Sequence, residues 1–181
     1  MKLVTESRNG AIVDIEKVKK FMRVTDNYQD DIILVLVHSA IKRVEDITNR
    51  QLGIANFTLY LPRFPNLIKL PKPPFVELES IKYMSYNGLV ELDKNSYELD
   101  NKGEVAEIEF KHISPSLCGR NPVQISYKSG YEILPSPIES YIFNYVSTHY
   151  EHRESVIVGA SVTQLDMGFI ESLLDSYRVY L

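Results

Sequence analysis

The chain has a single cysteine and no tryptophan, and its cations are not gathered into any basic cluster. Each lack excludes something. Cys118 alone cannot close an internal disulfide, so the fold must stand on its packed core, and the composition suits a reducing compartment such as the cytoplasm. The surrounding Ser-Leu-Cys-Gly-Arg places no histidine base beside the thiol, which makes a structural role the expectation. Twenty Lys and Arg against 24 Asp and Glu leave a net charge of −4. Tight DNA binding draws on counterion release from clustered cations, so a DNA-gripping function is not expected, while a surface that DNA merely passes is compatible. The apolar run after Met1 is too short for a signal peptide. Nowhere do about 20 apolar residues follow one another, so no membrane association is expected. Walker-type glycine loops, dinucleotide fingerprints, Gly-x-Ser-x-Gly elbows and Cys-x-x-Cys pairs are all missing.

What is present describes an ordinary globular protein. With 181 residues, 44% of them hydrophobic and 24% charged, the chain is long enough to bury roughly two-thirds of its unfolded surface. The pattern predicts one domain over 1–181 of the α+β class, with N- and C-terminal helices packed together and a central antiparallel β-meander. The helical stretches are 14–51 and 135–178, and the β-rich one is 57–128.

Asp14 stands as an N-cap before Ile15, Val18, Phe21 and Met22 at helical spacing, predicting a helix to Val24. A second helix is expected from Tyr28 to Gln51, ended by Gly53. Its first half is apolar on nearly every side, which places it in a core or an interface. Ile33, Leu36, Val37, Ala40, Val44 and Ile47 continue as a stripe into a polar second half. Strands are expected at Phe57–Leu61, Ile81–Tyr86, Leu89–Leu92, Tyr97–Leu99, Ala106–Phe110 and Val123–Tyr127, and the proline-rich 62–74 stretch is unsuited to helix. Asn87-Gly88 between apolar runs predicts a two-residue hairpin turn with both residues at positive φ. Pro135 and Pro137 open a helix running to Arg153 with Ile138, Tyr141, Ile142, Tyr145, Val146, His149 and Tyr150 at helical spacing. Ser155–Leu165 has no clear pattern. A last helix is expected over Asp166–Tyr177.

Three groups of residues invite a chemical reading. His149 and His152, at i and i+3, could share a metal, but no carboxylate or cysteine set accompanies them, and an amphipathic helix end is the better account. Asp26, Asp30 and Asp31 could supply an acid–base pair, yet they stand where a helix begins, and carboxylates are favoured there by the helix dipole. A glycosidase would also need a cleft rich in aromatic and polar groups. His38 lies in the apolar half of its helix and is expected to be a core or interface histidine. No catalytic residue, cofactor or metal is assigned. Tyrosine is enriched at protein interfaces, and five tyrosines crowd the C-terminal quarter. Phe169, Leu173, Tyr177, Tyr180 and Leu181 are therefore the expected partner-contact residues.

Several segments, in order, resemble the phage head–tail connector family, also called adaptor or head-completion proteins. They are Val18-Lys-Lys-Phe-Met-Arg-Val24 and the acidic-capped Asp30-to-Arg50 helix; Leu70-Pro71, Pro74-Phe75-Val76, Ser80-Ile-Lys-Tyr83 and Tyr97-Glu-Leu-Asp100; and Val123-Gln-Ile-Ser-Tyr127, Ser129-Gly-Tyr131, Leu134-Pro135 and Tyr150-Glu-His-Arg-Glu154. Their order spans about residues 14–178, while 104–121 and 156–165 match nothing in the family. The resemblance implies a virion neck subunit, assembled in the host cytoplasm. Such a subunit forms a ring beneath the portal protein, often twelvefold, extends the DNA channel and docks the next neck or tail completion protein. DNA passes without specific binding, no cofactor is needed, and the free chain can be a monomer. A stopper or tail terminator is the alternative in the same class, and a small metal-dependent hydrolase the alternative outside it.

Overall fold

A computed structural model describes residues 1–8, 13–111, 113, 115–152 and 168–180. The chain gathers into two compact units, one comprising Met1–Gly10 and Gly53–Glu132, the other Ala11–Leu52 and Ile133–Tyr180. The fold is α+β, and every pairing between its strands is antiparallel.

In the β-rich unit the strands are β1 (Lys2–Arg8), β2 (Ala55–Leu61), β3 (Leu67–Lys69), β4 (Phe75–Ser85), β5 (Gly88–Glu91), β6 (Tyr97–Asp100), β7 (Glu107–Phe110) and β8 (Val123–Ser129). They form a five-stranded sheet in the order β1-β2-β8-β4-β5 and a three-stranded sheet in the order β3-β7-β6. Side chains alternate across a strand, so register decides which ones meet. Phe57, Tyr127 and Leu78 stand side by side, as do Leu59, Ile125 and Ile81, and Leu61, Val123 and Tyr83. These rows join Leu70, Ala106, Ile108 and Phe110 in one apolar cluster shared by both sheets. The other face of the larger sheet is polar, with Thr58 between the Glu6 carboxylate and the Ser126 hydroxyl. Strand β1 was not expected. Its alternation is weak, and only pairing with β2 fixes it.

The hairpin joining β4 and β5 is where Asn87-Gly88 predicts it, with a different turn. Ser85 pairs with Gly88, so Tyr86 and Asn87 form the loop, and positive φ falls on Gly88 (113°) and not on Asn87. Gly130 answers a stronger constraint. Its φ is 134°, and a Cβ there would collide with the Gly53 backbone, where Gly53 and Tyr131 make a parallel bridge. Gly53 thus serves this close approach and does not end the preceding helix.

The helical unit contains α1 (Ile15–Met22), α2 (Asp30–Thr48), α3 (Ser136–Glu151), the short α4 (Gly168–Glu171) and a 3-10 turn over Ser172–Tyr177. Asp14 caps α1 as expected, its carboxylate accepting from the Glu16 N–H at 3.0 Å. Arg23 turns left-handed (φ 59°) to stop it. Asn49, also left-handed (φ 58°), ends α2, because asparagine tolerates this region better than most residues. Ile33, Val37, Ala40 and Val44 of α2 are buried, as are Ile138, Tyr141, Ile142 and Val146 of α3, so helices from both ends of the chain share one core. The final segment is helical only over its first turn and then tightens to 3-10. Ser155–Leu165 lies outside the described residues.

Candidate interface surfaces

The apolar first half of α2 is not enclosed. Ile33 and Val37 are buried, but Ile32 is 45% and Val35 63% exposed, Leu34 is exposed beside them, and Tyr28, just before the helix, is 93% exposed. That half therefore gives Ile33 and Val37 to the core and leaves Ile32, Leu34 and Val35 on the surface. His38 is likewise exposed, which removes it from the core. A continuous apolar run covers every side of a helix, and here the side that no described element covers is left in water.

The acidic group before α2 has a structural role. Lys19 is 3% exposed, and its ammonium lies 3.0 Å from the Asp30 carboxylate and 3.7 Å from Glu16, with the Asn27 side-chain oxygen also bonded. The hydrogen bond to Asp30 chiefly raises the Lys19 pKa, with burial opposing it. Asp26 accepts from the Tyr28 N–H at 3.1 Å. These carboxylates therefore clasp the α1–α2 connection and do not form an acid–base pair, leaving Asp31 exposed at the helix start.

The C-terminal segment is anchored, not free. Leu174 is fully buried and Val179 nearly so. The Val179 N–H donates to the Thr48 carbonyl at 3.0 Å, Asn49 donates to the Val179 carbonyl at 3.1 Å, and Arg50 Nε donates to the Tyr177 carbonyl at 2.6 Å. The Arg50 guanidinium also lies 5.8 Å from the Tyr177 ring centroid. The buried Glu45 carboxylate accepts from the Gln51 side-chain amide and from the Leu52 N–H, which satisfies buried donors in the turn that follows α2. Among the expected contact residues, Leu173 and Tyr177 are half-buried and Tyr180 is 85% exposed. The Phe169 side chain and Leu181 lie outside the described residues.

His149 is committed to its own helix. Its Nδ1 lies 2.8 Å from the Tyr145 carbonyl, and its ring stacks on Tyr145 at 4.0 Å. His152 is exposed at the helix end. Among the described residues no three His, Cys, Asp or Glu side chains group to hold a metal, and no helix is long and apolar enough to cross a membrane. Cys118 is half-buried, and its backbone N–H donates to Met84.

The β-rich unit offers two surfaces that sequence patterns did not indicate. An open cavity of about 330 Å³ on the three-stranded sheet is lined by Leu67, Glu98, Asp100, Lys102, Glu107 and Glu109. Two of its carboxylates are already paired, Glu98 with Lys111 at 2.9 Å and Glu107 with Lys69 at 3.5 Å. The tip of the β4–β5 hairpin exposes Met84, Tyr86 and Leu89. Cross-strand register alone brings Met84 opposite Leu89, so no linear motif marks the patch.

Comparison with solved structures gives the fold a context. The chain is similar over its whole length, and over 97% of theirs, to chains of the neck of an empty gene transfer agent particle computed with C6 symmetry and of the native gene transfer agent virion. Each comparison has a TM-score of 0.77 at 19% identity. A chain from the neck of the native particle computed with C12 symmetry aligns with TM-score 0.67 at 18% identity, with the same coverage. At such identities the likeness is one of fold. No protein-family profile matches the chain, and no curated protein does.

Proposed function

We propose that this protein is a structural subunit of a phage-type virion neck: a head–tail connector that forms a ring beneath the portal, extends the DNA channel and docks the next neck or tail completion protein. The observation that carries the reading is a fold shared end to end with chains of neck particles computed with cyclic symmetry. The colinear connector-like segments agree with it. The reading takes the chain as one domain, non-enzymatic and without cofactor, acting in the virion neck after assembly in the host cytoplasm. Its net charge of −4 suits a channel wall past which DNA slides without being held. A ring of identical subunits needs two different complementary faces on each copy.

The exposed Tyr180 ring, together with Phe169, Leu173, Tyr177 and Leu181, is the proposed contact to the portal. Tyrosine there offers a large amphipathic surface at small entropic cost. Mixing the purified chain with the portal protein of the same particle should yield a cyclic complex by electron microscopy, and Tyr180→Ala should weaken it. Failure to bind portal, together with capture by tail proteins, would instead favour a stopper or tail terminator. Removing the whole tail is a poor test, because Leu174 and Val179 belong to the core.

A further inference from the structure

Two exposed surfaces of the helical unit complement each other, and they lie on different helices. The outward side of α2 presents Ile32 and Val35 with the exposed carboxylate of Asp31, and the exposed Tyr28 stands just before the helix. On α1, Phe21 at the edge towards α3 is 49% exposed while resting on Phe143 at 5.5 Å, and the exposed Lys20 precedes it in the same helix turn. Each surface has an apolar centre and a charge beside it, and the two charges are opposite in sign. Neither charge has an ion pair that would have to be broken first among those the structure records at these helices, where Lys17 reaches Glu139, Lys19 reaches Asp30, and Lys42 reaches Asp46.

From this complementarity we infer that the α2 stripe of one copy packs against the α1 surface of a second copy of this chain, forming the contact between ring neighbours. The inference rests on the ring reading and deepens it by naming the two faces. A head-to-tail contact joins unlike surfaces, as closure into a ring demands. Opposite charges at the edge fix the register and disfavour α2 meeting α2. An interface centre of tyrosine, phenylalanine and branched aliphatic side chains with few charges matches the composition of protein contacts.

The test uses the full chain assembled with portal. A photo-crosslinking amino acid at Val35 should join to the Lys17–Arg23 peptide of a second copy, identified by mass spectrometry. Lys20→Glu alone and Asp31→Lys alone should each reduce ring yield at least tenfold, and the chain carrying both should recover most of it, since each contact then regains an opposite pair. Recovery also shows that the chain folds with both exchanged charges in place, and circular dichroism checks the fold of each single variant. Rings that form normally while Val35 crosslinks only to portal or another neck protein would overturn the inference and leave the ring reading standing. Equal loss in the double variant, with each single variant folded by circular dichroism, would overturn it as well. A wild-type chain that never forms a ring would overturn the ring reading, and this inference with it.

Discussion

The two units spend the same kind of residue differently. In the β-rich unit, apolar side chains on β2, β4, β7 and β8 close upon one another, and outward positions are filled by Thr58, Gln124, Ser126, Lys128 and Glu77. In the helical unit, the run Ile32-Ile33-Leu34-Val35-Leu36-Val37 exceeds what one helix face can bury, and half of it stands in water. A strand sorts its residues two ways and needs only alternation, whereas a helix needs gaps in its apolar pattern to keep one side polar. A protein that only had to fold would lose little by making Ile32 and Val35 polar. Both units leave apolar side chains in water: the β-rich unit at the β4–β5 hairpin, with Met84, Tyr86 and Leu89, and the helical unit along one side of α2.

Substitutions in the β-rich unit should be the costliest. Gly130→Ala forces a side chain into positive φ and against Gly53, and should lower stability by about 3 kcal/mol or more. A small shift of the urea midpoint would show that the approach of these two glycines relaxes easily. Ile125→Ala, at a position with no exposure, should cost about 2–5 kcal/mol, the range for emptying an enclosed core site. In the helical unit, Asn49→Ala replaces a left-handed residue that also holds the Val179 carbonyl. A loss of about 1–2 kcal/mol is expected, and Asn49→Gly, which keeps the backbone preference, should lose less.

Alkaline pH should weaken both units together. Burial lifts the Tyr127 phenol in one unit and the Tyr141 phenol in the other, and the hydrogen bond to Asp30 raises Lys19. A pKa raised in the folded state gives stability that is complete below the unfolded value, about 10 for tyrosine and lysine, and is lost as pH rises through the raised one. Urea midpoints should be flat from pH 7 to 9 and fall by pH 11. A fall beginning near pH 8 would contradict this. The smallest effect sharpens the comparison most. Val35→Ala should change stability by no more than about 0.5 kcal/mol, as for a solvent-exposed position. A loss above 1 kcal/mol would mean that the stripe supports the fold itself.

Much of the fold was legible because its signals are local. Asp14 caps α1, the prolines open α3, and alternation marks β2 and β8, since each depends on a few neighbouring residues. Other features depended on partners distant in the chain. Strand β1 exists through its pairing with β2, and Gly53 reads along the sequence as a helix stop because only the fold brings Gly130 against it. The candidate site was half legible. The apolar half of α2 allowed core or interface, and no count along the sequence could choose, since the choice is whether another element covers Ile32 and Val35. His149, Asp26 and Asp30 drew chemical readings, and their hydrogen bonds and ion pair commit them to a helix and to the clasp between α1 and α2.

The sequence by itself determined the class, helices on either side of a strand-rich middle with no disulfide framework, but not the first strand, β1. The class follows from periodicity and residue chemistry, which act over a few residues at a time. Tertiary structure alone decided strand order, the pinning of Leu174 and Val179 into the helical core, and the exposure of one side of α2. Those depend on which distant surfaces exclude water together.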